Sequence, residues 1–273
     1  MLVRSKYSGS SFSELLDVEF PHLRFENRLG QALALGAPGA GPLPAAPVPH
    51  GTTVLALKYS DGVIVAGDRL ATEGYRVASR DVQKVFTTDS HSLIAIAGAA
   101  GPCIEMAKLL RIELEHYEKI EGDPLELEGK ANKLSQMIRA NLPAAMQGFV
   151  VVPLFAGYDE RRDSGRVFSY DATGGRYEES DFQTNGSGGV HARNWIKAQW
   201  REGMSREDAV DLALRSLFAA ADEDAATGGP DLIRHIFPSV AVINRAGYRT
   251  VENDEIARRS EGLLGGREEG AGL

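Results

Sequence analysis

Gly51-Thr52-Thr53-Val54-Leu55-Ala56-Leu57-Lys58-Tyr59-Ser60-Asp61-Gly62-Val63-Ile64-Val65-Ala66-Gly67-Asp68 is the stretch on which the reading of this 273-residue chain turns. The texture changes abruptly at Thr52. Thr52–Tyr59 is rich in β-branched residues, Ser60-Asp61-Gly62 is a turn signal, and Val63–Ala66 is a second apolar run that stops at Gly67-Asp68. Two such runs joined by a Gly-containing turn predict a hairpin. Runs this apolar, on strands this short, predict strands covered on both faces.

Downstream of the hairpin, Lys84–Thr88 and Ser92–Ala97 are further strand candidates. Met106, Leu109, Leu110, Leu114 and Tyr117 then recur as one face of a helix, and Ala131, Leu134, Ile138 and Leu142 do so again before Pro143. Strand-like runs return at Val150–Tyr158, Gly165–Asp171 and near Phe182. A helical stretch spans Gly188 to Trp200. Ser205-Arg206-Glu207-Asp208 resembles a capping box that opens a helix with Val210, Ala213, Leu214 and Leu217 on one face. Val240–Asn244 and Tyr248–Glu252 close the pattern, Glu255–Leu264 is expected as a last short helix, and the tail from about 265 as loose. Strands, two helices, strands, two helices, strands is not the strict alternation of a doubly wound sheet. It fits an α+β class in which helices cover packed antiparallel sheets.

Upstream of Thr52 the chain is different in kind. Residues 1–51 carry four basic and four acidic side chains, so the whole formal charge of −8 resides in residues 52–273. Six of the twelve prolines fall in the first 51 residues, five of them between Pro38 and Pro49. The Pro/Ala/Gly stretch reads as an extended connector. Arg4 and Lys6 are followed by a polar run rather than an apolar one, so a secretory signal is not expected. No stretch approaches the ~20 apolar residues that span a bilayer. The acidic balance argues against general affinity for nucleic acid or anionic lipid, so neither nucleic acid nor membrane is expected as a partner. Cys103, the one cysteine, excludes an intrachain disulfide framework and fits a reducing, cytoplasmic compartment. Beside Met106 on an apolar helix face, it is expected as a packed thiol.

Common chemical signatures are missing. There is no Gly-x-Ser-x-Gly, no His-Glu-x-x-His and no Walker lysine loop, and the six histidines lack ligand spacing, so no metal and no cofactor are expected. Gly186-Ser187-Gly188-Gly189 begins like a dinucleotide loop but fails where His191 stands. The Gly51-Thr52 junction remains. If the chain were cut there, Thr52 would gain an α-amine whose unperturbed pKa is about 7.7–8.0, close to the ideal for a general base at neutral pH. An N-terminal threonine holds nucleophile and base in one residue. A nearby ammonium would favour its alkoxide, and a carboxylate would hold that ammonium in place. Lys84 and Asp68 supply these groups.

With these residues in view, the chain resembles the catalytic β subunits of the 20S proteasome, in particular the actinobacterial type. The resemblance rests on Gly51-Thr52-Thr53, Val65-Ala66-Gly67-Asp68-Arg69, Lys84-Val85-Phe86 and Ile96-Ala97-Gly98, and spans residues 52–264. Asp68 lies sixteen residues past Thr52 and Lys84 thirty-two, as in that family, which selects Thr52 over Thr53 as the mature N-terminus. Gly186-Ser187-Gly188 and Asp224-Ala225-Ala226-Thr227-Gly228-Gly229 match two later segments, with Thr227 where serine is common.

The resemblance implies a four-layer αββα sandwich of the N-terminal nucleophile hydrolase type. It implies a propeptide, 1–51, removed by self-cleavage between Gly51 and Thr52, and a catalytic domain, 52–273. Thr52 attacks the scissile carbonyl, Lys84 lowers its proton affinity and Asp68 orients Lys84. Ser187, Asp224 and Thr227 position the amine and a water, and Gly98 N–H serves the oxyanion. Thr72 and Ala100 bind substrate backbone. Ala71, Val82, Ile96 and Ala100 line an apolar first pocket, which implies cleavage after apolar residues. Gly51 is expected to allow the tight bend that self-cleavage needs. Implied partners are proteasome α subunits and other β subunits in heptameric rings stacked α-β-β-α, a ring-shaped AAA ATPase, and unfolded proteins with or without a prokaryotic ubiquitin-like tag. The competing readings are an inactive ring subunit of the same fold, an HslV-type protease, and an amidase of the N-terminal nucleophile group. The Gly51-Thr52 junction with its Asp and Lys partners, the long leader and the full later half disfavour the first two.

Overall fold

A computed structural model describes residues 51–73 and 76–270. Except for Gly51, the expected propeptide lies outside the described residues. The hairpin predicted at the start of the domain forms as β1 (Thr53–Tyr59) and β2 (Gly62–Gly67), paired antiparallel from Val54↔Gly67 to Tyr59↔Gly62. β2 also pairs with β11 (Ser239–Asn244), which pairs with β12 (Gly247–Thr250), while β10 (Phe182–Gly186) flanks the other side of β1. This gives a five-stranded sheet in the order β10-β1-β2-β11-β12. The second sheet has the order β5-β6-β7-β8-β9 and comprises β5 (Val85–Asp89), β6 (Ser92–Gly98), β7 (Val151–Asp159), β8 (Ser164–Tyr170) and β9 (Arg176–Glu179).

Side-chain alternation explains how the sheets are covered. Along β1, Val54 and Ala56 enter one cluster while Leu55, Leu57 and Tyr59 enter another; along β2, Val63 and Val65 join the first, Ile64 and Ala66 the second. On the other sheet, Leu93, Ala95 and Ala97 of β6 face the same first cluster, and Ile94 and Ile96 face a third. Because successive side chains point to opposite faces, the shared cluster lies between the two sheets.

The outer faces are covered by helices. α1 (Ala100–Glu121) and α2 (Leu127–Ala140) pack Met106, Leu110, Leu134 and Ile138 against Phe155 and Phe168 of the second sheet. α4 (Gly189–Gln199) and α5 (Arg206–Glu223) pack Ile196, Leu214 and Leu217 against the first. Ser205 caps α5 as expected, its hydroxyl accepting from Asp208 N at 3.1 Å. The fold is therefore α+β, with antiparallel sheets carrying helices.

Several elements differ from the sequence reading. A small hairpin, β3 (Ala71–Glu73) with β4 (Arg76–Ser79), and the strand β9 went unpredicted because they are short, exposed and charged. The second helix stops at Ala140 instead of reaching Leu142. Asn141 is buried there and donates to Phe149 O at 3.2 Å, and Leu142–Ala145 forms a separate turn, α3. The last helix, α6, runs Asn253–Gly270, past the point where a loose tail was expected. None of the described helices is long and apolar enough to cross a membrane.

Candidate active site

The strand registers gather the site at one end of the sandwich. β1 lies between β10 and β2, so its first residues sit beside the last residues of both. Thr53 pairs with Gly186 and Val54 with Gly67, which brings Thr52 next to Ser187 and Asp68. Gly186 has φ +99°, and a Cβ there would meet Thr52 O at 1.9 Å, so only glycine lets β10 end this close to Thr52. Lys84 immediately precedes β5, Gly98 ends β6, and Asp224–Gly228 turn back from the end of α5 toward Asp68.

One half of the site is an ion pair. Asp68 is fully buried and Lys84 nearly so. Lys84 Nζ donates to Asp68 Oδ1 at 2.6 Å, to Leu70 O at 2.6 Å and to Gly51 O at 3.4 Å. Asp68 also accepts from Thr53 N at 2.7 Å, and from Leu70 N and Gly228 N at 2.9 Å each. Burial pulls Lys84 below the usual lysine range, and the Asp68 carboxylate opposes that pull.

The other half centres on Asp224. Its Oδ2 accepts from Ser187 Oγ at 2.5 Å and from Thr227 Oγ1 at 2.6 Å, and its Oδ1 accepts from Ala226 N at 3.1 Å. Burial alone would raise the Asp224 pKa. The hydrogen bonds from Ser187, Thr227 and Ala226 outweigh it and hold the carboxyl below its ordinary value, so it is ionised at neutral pH. Thr52 N donates to Ser187 Oγ at 3.4 Å.

Thr52 lies between the halves. Its hydroxyl donates to the carbonyl oxygen of Gly51 at 2.6 Å, the same oxygen that Lys84 reaches. Two donors, one of them charged, thus polarise the carbonyl of the Gly51–Thr52 bond. The surroundings of Gly51 leave no room for a side chain. A Cβ on it would fall 2.5 Å from Thr72 Oγ1, 2.6 Å from Ala226 Cβ and 2.7 Å from Ala226 O.

Beside Thr52 is a cavity of about 20 Å³. It is lined by Ala71, Val82, Ile96 and Ala100, all four expected, together with Gly98 and Lys84. Sequence reasoning missed Gln83 and Ile104, which also line it. Ile104 lies one helical turn beyond Ala100, and that i, i+4 spacing was the available signal. Thr72 lies off this cavity, against Gly51. Cys103 is buried with its Sγ 3.5 Å from Ala97 O, and burial pushes the thiol up to about 12, so it remains a protonated packing group. Thr53 was read only as the rejected alternative N-terminus. It is fully buried, and both its N–H and its hydroxyl bond to site residues.

The family model described as "Proteasome subunit" matches residues 48–236. Among curated proteins, the proteasome subunit beta of Acidimicrobium ferrooxidans is 57% identical over 215 residues, 78% of this chain and 79% of that one. The proteasome subunit beta of Streptomyces griseus is 52% identical over 257 residues, covering 92% and 87%. That of Jonesia denitrificans is 51% identical over 228 residues, covering 82% and 76%.

Proposed function

The chain belongs to the proteasome subunit family, as a β subunit that assembles with other proteasome subunits, and from that premise we propose that it is a threonine endopeptidase activated by its own cleavage at Gly51–Thr52. The observation that carries this reading is the Thr52 hydroxyl held 2.6 Å from the Gly51 carbonyl oxygen, beside the buried Lys84–Asp68 pair. An inactive ring subunit would have no use for a buried ammonium trained on a backbone carbonyl. The two face-to-face sheets with helices outside suit the αββα sandwich of N-terminal nucleophile hydrolases.

In the uncut chain the Thr52 nitrogen is an amide and cannot act as a base. Thr52 Oγ attacks the Gly51 carbonyl carbon, the hydroxyl proton passes to the leaving nitrogen, and the C–N bond breaks, which moves the acyl group to oxygen and frees the α-amine. Water then hydrolyses this ester, releasing residues 1–51 as a carboxylate and restoring the Thr52 hydroxyl. Confining this step to the assembled particle would keep proteolysis inside an enclosed chamber.

In the mature enzyme the α-amine takes the Thr52 hydroxyl proton as Oγ attacks a substrate carbonyl. Lys84 stabilises the negative charge on Oγ, and Asp68 keeps Lys84 charged and placed. Gly98 N–H is the oxyanion donor, a contact whose loss typically costs ~10²–10³ in rate. The ammonium returns its proton to the leaving amine, and a water activated by the amine hydrolyses the acyl-enzyme. Ser187, Asp224 and Thr227 orient the amine. Thr72 and Ala100 hold substrate as an added strand. The setting that fits this activity is the cytoplasm, in α-β-β-α rings served by an ATPase that delivers unfolded chains, tagged or untagged.

The test is intact mass and N-terminal sequencing of the purified assembled particle, together with peptide hydrolysis. The active subunit is expected to begin at Thr52. An active particle whose β subunits retain residues 1–51 would overturn the reading. With an apolar pocket, fluorogenic peptides bearing an apolar residue before the scissile bond should turn over faster than acidic ones, and equal turnover would refute that preference.

The same groups set a pH profile. Below the pKa of the α-amine, about 8 when unperturbed, the base is protonated and kcat/KM should fall with falling pH. On the alkaline side activity requires the Lys84 ammonium. Burial lowers its pKa from 10.5, so activity should fall with rising pH before the ordinary lysine range is reached. A kcat/KM plateau extending past pH 10.5 in a stable particle would remove Lys84 from its assigned role.

A further inference from the structure

We propose that Thr53, the residue after the nucleophile, is a positioning residue that ties the two halves of the site together through its hydroxyl. This inference rests on the threonine-protease reading and adds a residue to it. Thr53 bonds to both halves. Its N–H donates to Asp68 Oδ1 at 2.7 Å, and its Oγ1 lies 2.6 Å from Thr227 Oγ1. Both threonine side chains are buried.

The direction of the second bond is fixed by proton counting. A hydroxyl has one proton to give, and an ionised carboxylate only accepts. Thr227 Oγ1 lies 2.6 Å from Asp224 Oδ2 and spends its proton there. Thr227 must therefore receive the proton of Thr53. Ser187 likewise donates to Asp224, and Thr52 N donates to Ser187. The donors run from Thr53 through Thr227, and from Thr52 N through Ser187, and converge on Asp224. Thr52 and Thr53 are consecutive, so the network closes on itself through one peptide unit. Holding Thr53 at both its nitrogen and its side chain fixes the adjoining nucleophile relative to Lys84 on one side and Ser187 on the other.

Gly188 supplies an independent indication. A Cβ on it would lie 2.5 Å from Thr53 Oγ1 and 2.5 Å from Thr227 Oγ1. Its backbone, at φ −84° and ψ 3°, is one that other residues adopt. The glycine is thus explained by the hydrogen bond it packs against and not by chain geometry.

The experiment compares Thr53→Val, Thr53→Ser and Thr227→Ala, singly and with Thr53→Val and Thr227→Ala combined, in the assembled particle. Valine keeps the shape and removes the hydroxyl. The expected result for Thr53→Val is a kcat lower by about fivefold to tenfold with KM unchanged, the scale of one hydrogen bond lost in the transition state. Thr53→Ser should recover kcat to within about twofold of wild type, since one hydroxyl replaces another. The double variant should be no slower than Thr227→Ala alone, because both remove one shared bond. Wild-type kcat in Thr53→Val, or fully additive losses in the double variant, would overturn the proposal. The wild-type particle and Thr52→Ala in the same assay report on the threonine-protease reading separately.

Discussion

Thr52→Ala is expected to leave residues 1–51 attached in the assembled particle and to reduce peptide hydrolysis at least about 10³-fold. No neighbouring group can take over. The Thr53 hydroxyl is committed to Thr227 and that of Ser187 to Asp224. Cys103 is buried, and its pKa of about 12 keeps it a thiol. Lys84 carries its charge into bonds with Asp68, Leu70 and Gly51. The substitution removes the hydroxyl that donates to Gly51 O and leaves both half-sites in place, so folding and assembly should proceed. Intact mass checks the leader and a fluorogenic peptide checks the turnover. A Thr52→Ala subunit that loses residues 1–51 in a preparation free of other proteases would show that cleavage is not its own. Thr52→Ser provides the contrast. It retains the nucleophile, so it should still lose its leader.

Much of this site was legible in the sequence because its chemistry uses side chains that stand out. The change of texture at Thr52, the strand-ending Asp68 and the strand-opening Lys84 mark one half-site, and Ser187 and Asp224, thirty-seven residues apart, mark the other. The hairpin and the helical faces were legible because burial imposes periods of two and 3.6 on apolar residues. What escaped is of another kind. Leu70 contributes a carbonyl and an N–H, and Gly228 an N–H. Every residue of these types has such groups, so nothing in the letters Leu and Gly announces them. Thr53 escaped because one threonine beside another reads as a competitor for the same role. Gly188 was read only as part of a matching segment, because its role is a contact with residues more than a hundred positions earlier in the chain and almost forty later. The β3–β4 hairpin escaped because its exposed, charged residues carry no burial signal, yet it holds Thr72 against Gly51.

The Lys84–Asp68 pair should respond unequally to loss of its two members. On the proposed mechanism, Lys84→Met should lower kcat by roughly 10²–10³-fold or more, since it removes the charge assigned to stabilising the Thr52 alkoxide. It should also stall self-cleavage, because the Gly51 carbonyl loses its charged donor. It leaves the Asp68 carboxylate buried without its counter-charge, which costs stability, but less than the reverse change. Asp68 would keep three backbone donors, from Thr53, Leu70 and Gly228, and methionine fills the space of the lysine stem. Asp68→Ala is the worse change for the fold. It strands those three N–H groups and leaves a buried ammonium facing only the Leu70 and Gly51 carbonyls, and breaking a buried pair in this way costs about 3–5 kcal/mol. The two variants should differ in pH dependence as well. Without Asp68, only the Asp224 charge still opposes burial at Lys84, and its folded-state pKa falls further below 10.5. The unfolded chain then holds more protons than the folded one between the lowered value and 10.5, so the stability of Asp68→Ala should rise as pH rises through that window. Lys84→Met has no such group and should show no such rise. Denaturant midpoints of the two variants at neutral and alkaline pH make the comparison. Equal midpoints at neutral pH, or a rise with pH in Lys84→Met, would mean that the pair does not carry the buried charge assigned to it.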